Sequence, residues 1–182
     1  MTEETEEVSP LPNEFYGIIK KFMRRVFSQT FGVVGALLEK NGKVLLVKES
    51  GTPDKGKWNQ PAGWPEVGEN LIMAAKRETE EETGYDFTPT HLLGIYSLVR
   101  KDLKEKLNAT PHALKLIFIG QISDEPVRKP ADDITEIKWF APEEIEAMDS
   151  ETLRDADIKQ IVKDYFAGKK YPLDIIHQTI SE

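Results

Sequence analysis

Residues 63–85 read GWPEVGENLIMAAKRETEEETGY, and the reading of the whole chain turns on this stretch. Leu71, Ala74 and Ala75 recur at spacings of three and four, the period of a helix with one apolar face. Glu78, Glu81 and Glu82 are related by i, i+3 and i+4, so three carboxylates share one side of that helix. Glu78 and Glu82 are like charges at i, i+4, which costs an isolated helix roughly 0.2–0.5 kcal/mol. A hard divalent cation held by oxygen ligands would offset the repulsion. The bland alternative is a solvated acidic face on which Lys76–Glu80 and Arg77–Glu81 form ordinary ion pairs worth little.

The flanking residues favour the first reading. Gly63, Glu69, Arg77-Glu78, Glu81-Glu82 and Gly84 stand at the spacing G-x5-E-x7-R-E-U-x-E-E-x-G-U, with U a bulky apolar residue. That pattern resembles the Nudix box. Thr79 and Tyr85 occupy the two U positions and depart mildly from the usual aliphatic choice. The resemblance runs from about Phe31 to Ile176. It leans towards the bacterial NudJ-type phosphohydrolases through Trp58-Asn59-Gln60-Pro61-Ala62-Gly63 and Tyr171-Pro172-Leu173. It implies an α+β fold, the family's α/β/α sandwich with a mixed β-sheet.

It also implies roles. Glu78, Glu81 and Glu82 would bind metal, with the carbonyl of Ala62 completing the shell. The metal would be Mg²⁺, with Mn²⁺ as a substitute. Arg77 would hold Glu78 in place. Glu69 would be structural, as would Gly63 and Gly84 at the ends of the box. The implied reaction is attack of water on phosphorus in a nucleoside di- or triphosphate or another small diphosphate. Several enzymes of the family take a general base from a loop outside the box. Asp133 is the candidate, with Asp132 and Glu136 behind it, and Glu81 is the catalytic alternative inside the box. Arg100, Lys101 and Lys57 are the candidate phosphate contacts. Trp64, Tyr96 and Phe31 are candidate stacking partners. A non-catalytic nucleotide sensor on the same fold is the rival function, and loss of a metal glutamate would favour it. None is lost.

Composition sets the bounds. The chain has 182 residues and a net charge of −8, with a pI of about 5.1. Binding to a nucleic-acid polymer calls for a basic footprint, which is missing. There is no cysteine, and His91, His112 and His177 lack zinc-ligand spacing. No apolar run approaches the roughly 20 residues of a membrane span. The N-terminus is acidic rather than basic and then apolar, so the expected location is cytoplasmic.

Three regions follow. Residues 1–13 form an acidic flexible tail. Residues 14–29 form an amphipathic helix with Phe15, Ile18, Ile19, Phe22, Met23, Val26 and Phe27 in one stripe beside Lys20, Lys21, Arg24 and Arg25. Packing on the domain, or across a homodimer, is the favoured use of that stripe over a membrane surface. Residues 30–182 form the catalytic domain. Within it strands are expected over Thr30–Leu38, Lys43–Lys48, Trp58–Gly63, His91–Arg100, His112–Ile122 and Ile134–Phe140, and the third must end or sit at an edge at Pro61, which cannot donate to a ladder. Asn41-Gly42 is a hairpin signal between the first two. Lys101–Thr110 reads as a polar loop. Pro142 starts a short helix, Leu153–Phe166 forms an amphipathic one, and Ile175 and Ile176 are expected to be buried.

Overall fold

Alternation along the strands sorts the apolar side chains of this chain into two cores. The computed structural model describes residues 30–181, so the tail 1–13 and the helix expected at 14–29 lie outside it. On β3 (Lys43–Glu49), Val44 and Leu46 enter one core, and Leu45 and Val47 enter the other. The same split separates Leu93 from Leu92 on β6 (Phe87–Val99) and Ile117 from Phe118 on β7 (His112–Ile122). Successive strand residues point to opposite faces, so both faces of the sheets are covered.

The covers are helices. Ala74 and Ala75 of α1 (Leu71–Thr83) pack into the second core, with Val34 and Ala36 of β1 (Thr30–Ala36). Ile158, Ile161 and Val162 of α4 (Ile158–Phe166) fill the first, with Ile145 of α3 (Pro142–Ala147). The remaining short helix is α2 (Lys104–Leu107), which follows a 3₁₀ turn at Lys101–Leu103. Lys101–Thr110 is therefore partly helical rather than a plain loop. Leu103 anchors it by burying its side chain.

Two sheets lie between the helices. The first is mixed, in the order β5 (Ala62–Gly63), β1, β7, β6, β9 (Tyr171–Pro172), and β1 runs parallel to β7. The second centres on β3. It pairs with β2 (Glu39–Lys40) through the Asn41-Gly42 hairpin, with β4 (Trp58–Asn59) and with β8 (Ile134–Phe140). Asn41 and Gly42 both have positive φ, as that turn requires. The fold is the α/β/α sandwich with a mixed sheet.

Three further expectations need correction. Trp58–Gly63 is not one strand. β4 pairs with β3 and β5 pairs with β1, so the chain passes from one sheet to the other at Gln60-Pro61. Pro61 has no N–H to give a ladder, and its carbonyl instead accepts from Ala36 N–H at 3.0 Å. The last helix starts at Ile158, not Leu153. Leu153 is buried and bridges to Trp58, whose N–H and C=O bond Thr152 and Arg154 at 2.9 Å each. Those tertiary bonds draw the segment out of the helical path. Finally, Ile176 packs on the core, but Ile175 remains half exposed.

The box helix has defined ends. Asn70 caps it, its Oδ1 accepting from Ile72 and Met73 N–H at 3.0 and 3.3 Å. Gly84 ends it with φ of 77°, and its carbonyl accepts from Val127 N–H at 2.8 Å and Arg128 N–H at 3.2 Å. The two U positions are buried. Thr79 bonds its hydroxyl back to Ala75 O at 2.6 Å, and Tyr85 meets Trp139 edge to face at 6.0 Å. A Cβ at Gly84 would strike the Arg128 carbonyl, and the φ is left-handed. Gly84→Ala should therefore cost at least about 1 kcal/mol, read as a lowered denaturation midpoint in urea.

Candidate active site

The site grows from the loop that enters α1. Glu69 lies in that loop and grips Arg77 with both oxygens, receiving Nε at 2.9 Å and Nη2 at 2.8 Å. Its second oxygen also accepts from Glu66 N–H at 2.9 Å. Hydrogen bonds from Arg77, then from Glu66, hold the Glu69 carboxyl at a pKa of about 2. The same guanidinium reaches Glu78 at 2.8 Å, Glu81 at 3.3 Å and the Trp64 carbonyl at 3.2 Å. One side chain thus ties the loop to the acidic face of the helix.

Glu78 and Glu82 are part-buried, and Glu81 is half exposed. Burial raises the Glu78 carboxyl above its ordinary value despite the bond from Arg77. Glu82 is pushed up further, first by its packed surroundings and then by the charges of Glu49 and Glu78. Its bond is to Ala62 N–H, at 2.9 Å. Gly63 lies against Glu78 so closely that a Cβ there would fall on the carboxylate. Ala62, Gly63 and the helix glutamates are therefore one assembly. Among the described residues no three acidic or histidine side chains already converge as a metal cage. The donor set still suits one. It is all oxygen, it carries more negative charge than its cations neutralise, and Glu82 retains an open edge. Hard cations prefer such donors.

Glu80, which faces away from this cluster, has a different task. Burial opposes its ionisation, but bonds from Lys76, Arg128 and Phe87 N–H outweigh that and keep its carboxyl below the usual range. Through Arg128, and through Ala131 N–H to Glu81 O at 2.8 Å, the loop before β8 is docked on the C-terminal end of α1. Asp133 ends that loop. Its carbonyl accepts from Ser50 N–H at 2.8 Å, beside Glu49, and its own side chain is exposed.

A cavity of about 280 Å³ opens next to the box loop. Phe31 and Trp64 form an aromatic rim, with ring centres 5.5 Å apart, and Leu98 and Leu103 line the interior. Tyr96 instead points its hydroxyl to Asp164 at 3.1 Å, away from this cavity. At the polar wall, both ends of the buried Gln60 amide and Oδ1 of Asn59 have no partner among the described residues.

The expected cations are distributed unequally. Arg100 lines the cavity but is 8% exposed and fully engaged. Its Nε donates to Asp102, Nη1 to Asp54 at 3.1 Å and Asp155 at 2.8 Å, and Nη2 to Asp54 at 3.0 Å and Asp102 at 2.7 Å. Lys101 is exposed on its 3₁₀ turn. Lys57 bonds the Ser150 carbonyl at 2.7 Å and lines a neighbouring cavity of about 720 Å³. The sequence reading passed over Glu49, Lys115 and Arg154, which line the first cavity. Lys115 is buried and bound to Asp155 at 3.1 Å and Asp157 at 3.0 Å. Glu49 did carry a signal: strand alternation puts it on the same face as Leu45 and Val47, where a carboxylate is out of place. Arg154 carried none, because its partners are remote in sequence.

Carboxylates massed on one helix, beside a cavity with an aromatic rim and a charged wall, make an oxygen-donor site of the kind metal-assisted hydrolysis needs. Comparison with known proteins agrees. Residues 28–164 match the model of the NUDIX domain. The phosphatase NudJ of Escherichia coli (strain K12) is 33% identical over 144 residues, covering 79% of this chain and 88% of the relative. A NUDIX hydrolase from Nitrosomonas europaea is 38% identical with a TM-score of 0.72, covering 83% of this chain and 98% of that one. A MutT protein from Methanosarcina mazei Go1 shares the fold at 23% identity and a TM-score of 0.63, covering 78% and 96%. The chain belongs to the NUDIX family, and it is a Nudix hydrolase, with pyrophosphate-type hydrolysis as its activity. No helix among the described residues is long and apolar enough to cross a membrane.

The Arg100 network gives a stability test. Asp54 and Asp155 are 6% and 7% exposed, and removing the guanidinium leaves both carboxylates short of a partner. Breaking a buried pair from one side costs about 3–5 kcal/mol. Arg100→Met should lower stability by that order in chemical denaturation.

Proposed function

We propose that this enzyme uses Mg²⁺ to hydrolyse the pyrophosphate bond of a nucleoside di- or triphosphate or another small diphosphate. The observation that carries the reading is Glu82: a part-buried carboxylate, flanked by Glu49 and Glu78, whose hydrogen bond is to a single backbone N–H. Such a group is stabilised by a cation. Glu78, Glu81, Glu82 and the Ala62 carbonyl would hold the ion, which when bound neutralises phosphate charge and orients water.

The chain's own residues do the rest. Arg77 fixes Glu78 and Glu81 and anchors the loop that carries Gly63. The new bond forms between a water oxygen and phosphorus. The anhydride P–O bond breaks, and its electron pair leaves on the departing phosphate. The water proton passes to a carboxylate. The helix glutamates are committed to the ion and to Arg77, so Asp133 is the proposed acceptor. Its support is the docking of its loop on α1 and its place beside Glu49. The cavity gives the non-phosphate part of the substrate an aromatic rim. The name of the Escherichia coli relative, a phosphatase, supports the reaction class.

Glu82→Gln keeps the shape and removes an anionic ligand. Turnover should fall by orders of magnitude, while the melting temperature of the metal-free protein is not lowered. Added Mg²⁺ should raise the melting temperature of the wild type and leave the variant almost unmoved. Near wild-type turnover in the variant would remove Glu82 from the ligand set.

Asp133→Asn should lower kcat about 10²–10⁴-fold, the usual worth of a general base. KM should change much less. The comparison is Glu81→Gln over the same pH series. If Glu81→Gln alone loses the rate and the limb of the profile that reports the base, the base lies within the box.

A further inference from the structure

Hydrogen-bond accounting singles out one cation. Three cationic side chains line the cavity beside the box: Arg100, Lys115 and Arg154. An arginine has five N–H donors in a fixed fork. Arg100 spends all five on Asp54, Asp102 and Asp155. Lys115 is buried between Asp155 and Asp157. Neither can turn to a substrate without stranding a buried carboxylate.

Arg154 differs. Among the described residues it makes one side-chain hydrogen bond, from Nη1 to Glu49 at 2.5 Å. Its Nε is buried with no hydrogen-bond partner among the described residues, and Asp54 Oδ2 lies 3.6 Å from it. Its side chain is still 30% exposed. An unpaired buried donor costs stability unless a ligand or water completes it. The backbone of Arg154 is held firm, since its N–H bonds the Trp58 carbonyl at 2.9 Å. Arg154 is therefore a fixed fork with spare donors. Arg154 and Glu49, its partner, line the same cavity as Ala62, Gly63 and Trp64 of the box loop, and both lie close enough to Glu82 for their charges to act on it.

We propose that Arg154, with its unused fork donors, is the side chain that binds the substrate's phosphate oxygens in the cavity it shares with the box loop. Arg100 and Lys115 hold the wall in place. Glu49 neutralises Arg154 in the free enzyme and yields it when the more highly charged diphosphate arrives. The assignment replaces Arg100, Lys101 and Lys57 with a residue from the segment before α4. It rests on the diphosphate reading above.

The test is binding of methylenediphosphonate, a non-hydrolysable diphosphate, by calorimetry with Mg²⁺ present, alongside steady-state kinetics on the substrate found by screening. Arg154→Gln should weaken probe binding roughly 10–100-fold, the worth of charge-assisted hydrogen bonds to phosphate. It should raise KM by a similar factor with a smaller change in kcat. Arg154→Lys keeps the charge without the fork and should fall between the two. Glu49→Gln breaks the same ion pair but leaves the guanidinium, so probe binding should be equal or tighter. A merely structural pair would weaken binding in both variants, and that result overturns the proposal. So does wild-type affinity in a folded Arg154→Gln, or a larger loss from Lys101→Gln or Lys57→Gln. If Arg154→Gln does not fold, Arg154→Lys and Glu49→Gln decide by the same opposed shifts. Wild-type protein that neither binds the probe nor hydrolyses any diphosphate overturns the reading of function itself. Wild-type protein that does both, with an indifferent Arg154→Gln, overturns this inference alone.

Discussion

Arg77 carries the geometry of the box. Its guanidinium is shared by Glu69 in the loop, Glu78 and Glu81 on the helix, and the Trp64 carbonyl. Each contact is charge-assisted or to a carbonyl, and the grip on Glu69 is bidentate, which fixes direction as well as distance. A helix that masses acidic side chains would splay them apart by repulsion. The guanidinium offsets part of that charge while leaving Glu82 to other partners. Gly63 then lets the backbone lie against Glu78, so loop and helix meet without a side chain between them. The site is thus set by one cation and one missing methyl group.

A second charge system supports the cavity from the opposite side. Arg100, Lys115 and Arg154 face Glu49, Asp54, Asp102, Asp155 and Asp157. Anions outnumber cations here as they do in the chain overall, whose net charge is −8. A site with that sign concentrates cations from solvent, which suits a reaction between an anionic protein and an anionic substrate.

What the sequence disclosed follows from how local each feature is. The box helix, β7 and β8 were readable because helical period and strand alternation are properties of consecutive residues. Pro61 announced a break, but the move from one sheet to the other depends on which strand each half meets. Leu153 has helical periodicity, yet its pairing with Trp58 draws it out of the helix. Arg100 sits before a lysine-rich stretch and reads as a cation free to meet phosphate. The aspartates that claim it lie 46 and 55 positions away. Glu49 was the recoverable case, because its parity alone placed a carboxylate on a core face. The box was legible in full as a pattern, while the far wall of the cavity, Glu49 apart, is tertiary.

The parallel pairing of β1 with β7 has a consequence for assembly. Thr30 and His112 are joined across 82 residues, and the complete box lies inside that span. Closing so long a loop is entropically costly and is recovered only when the whole ladder forms. α1 buries Ala74 and Ala75 and packs Leu71 and Ile72 against the same core, and for this it needs β1 and its neighbours as a floor. A nascent chain that has just emitted the last glutamate of the box holds every residue of the motif and the contacts of Arg77, but not the strand that closes the sheet beneath it.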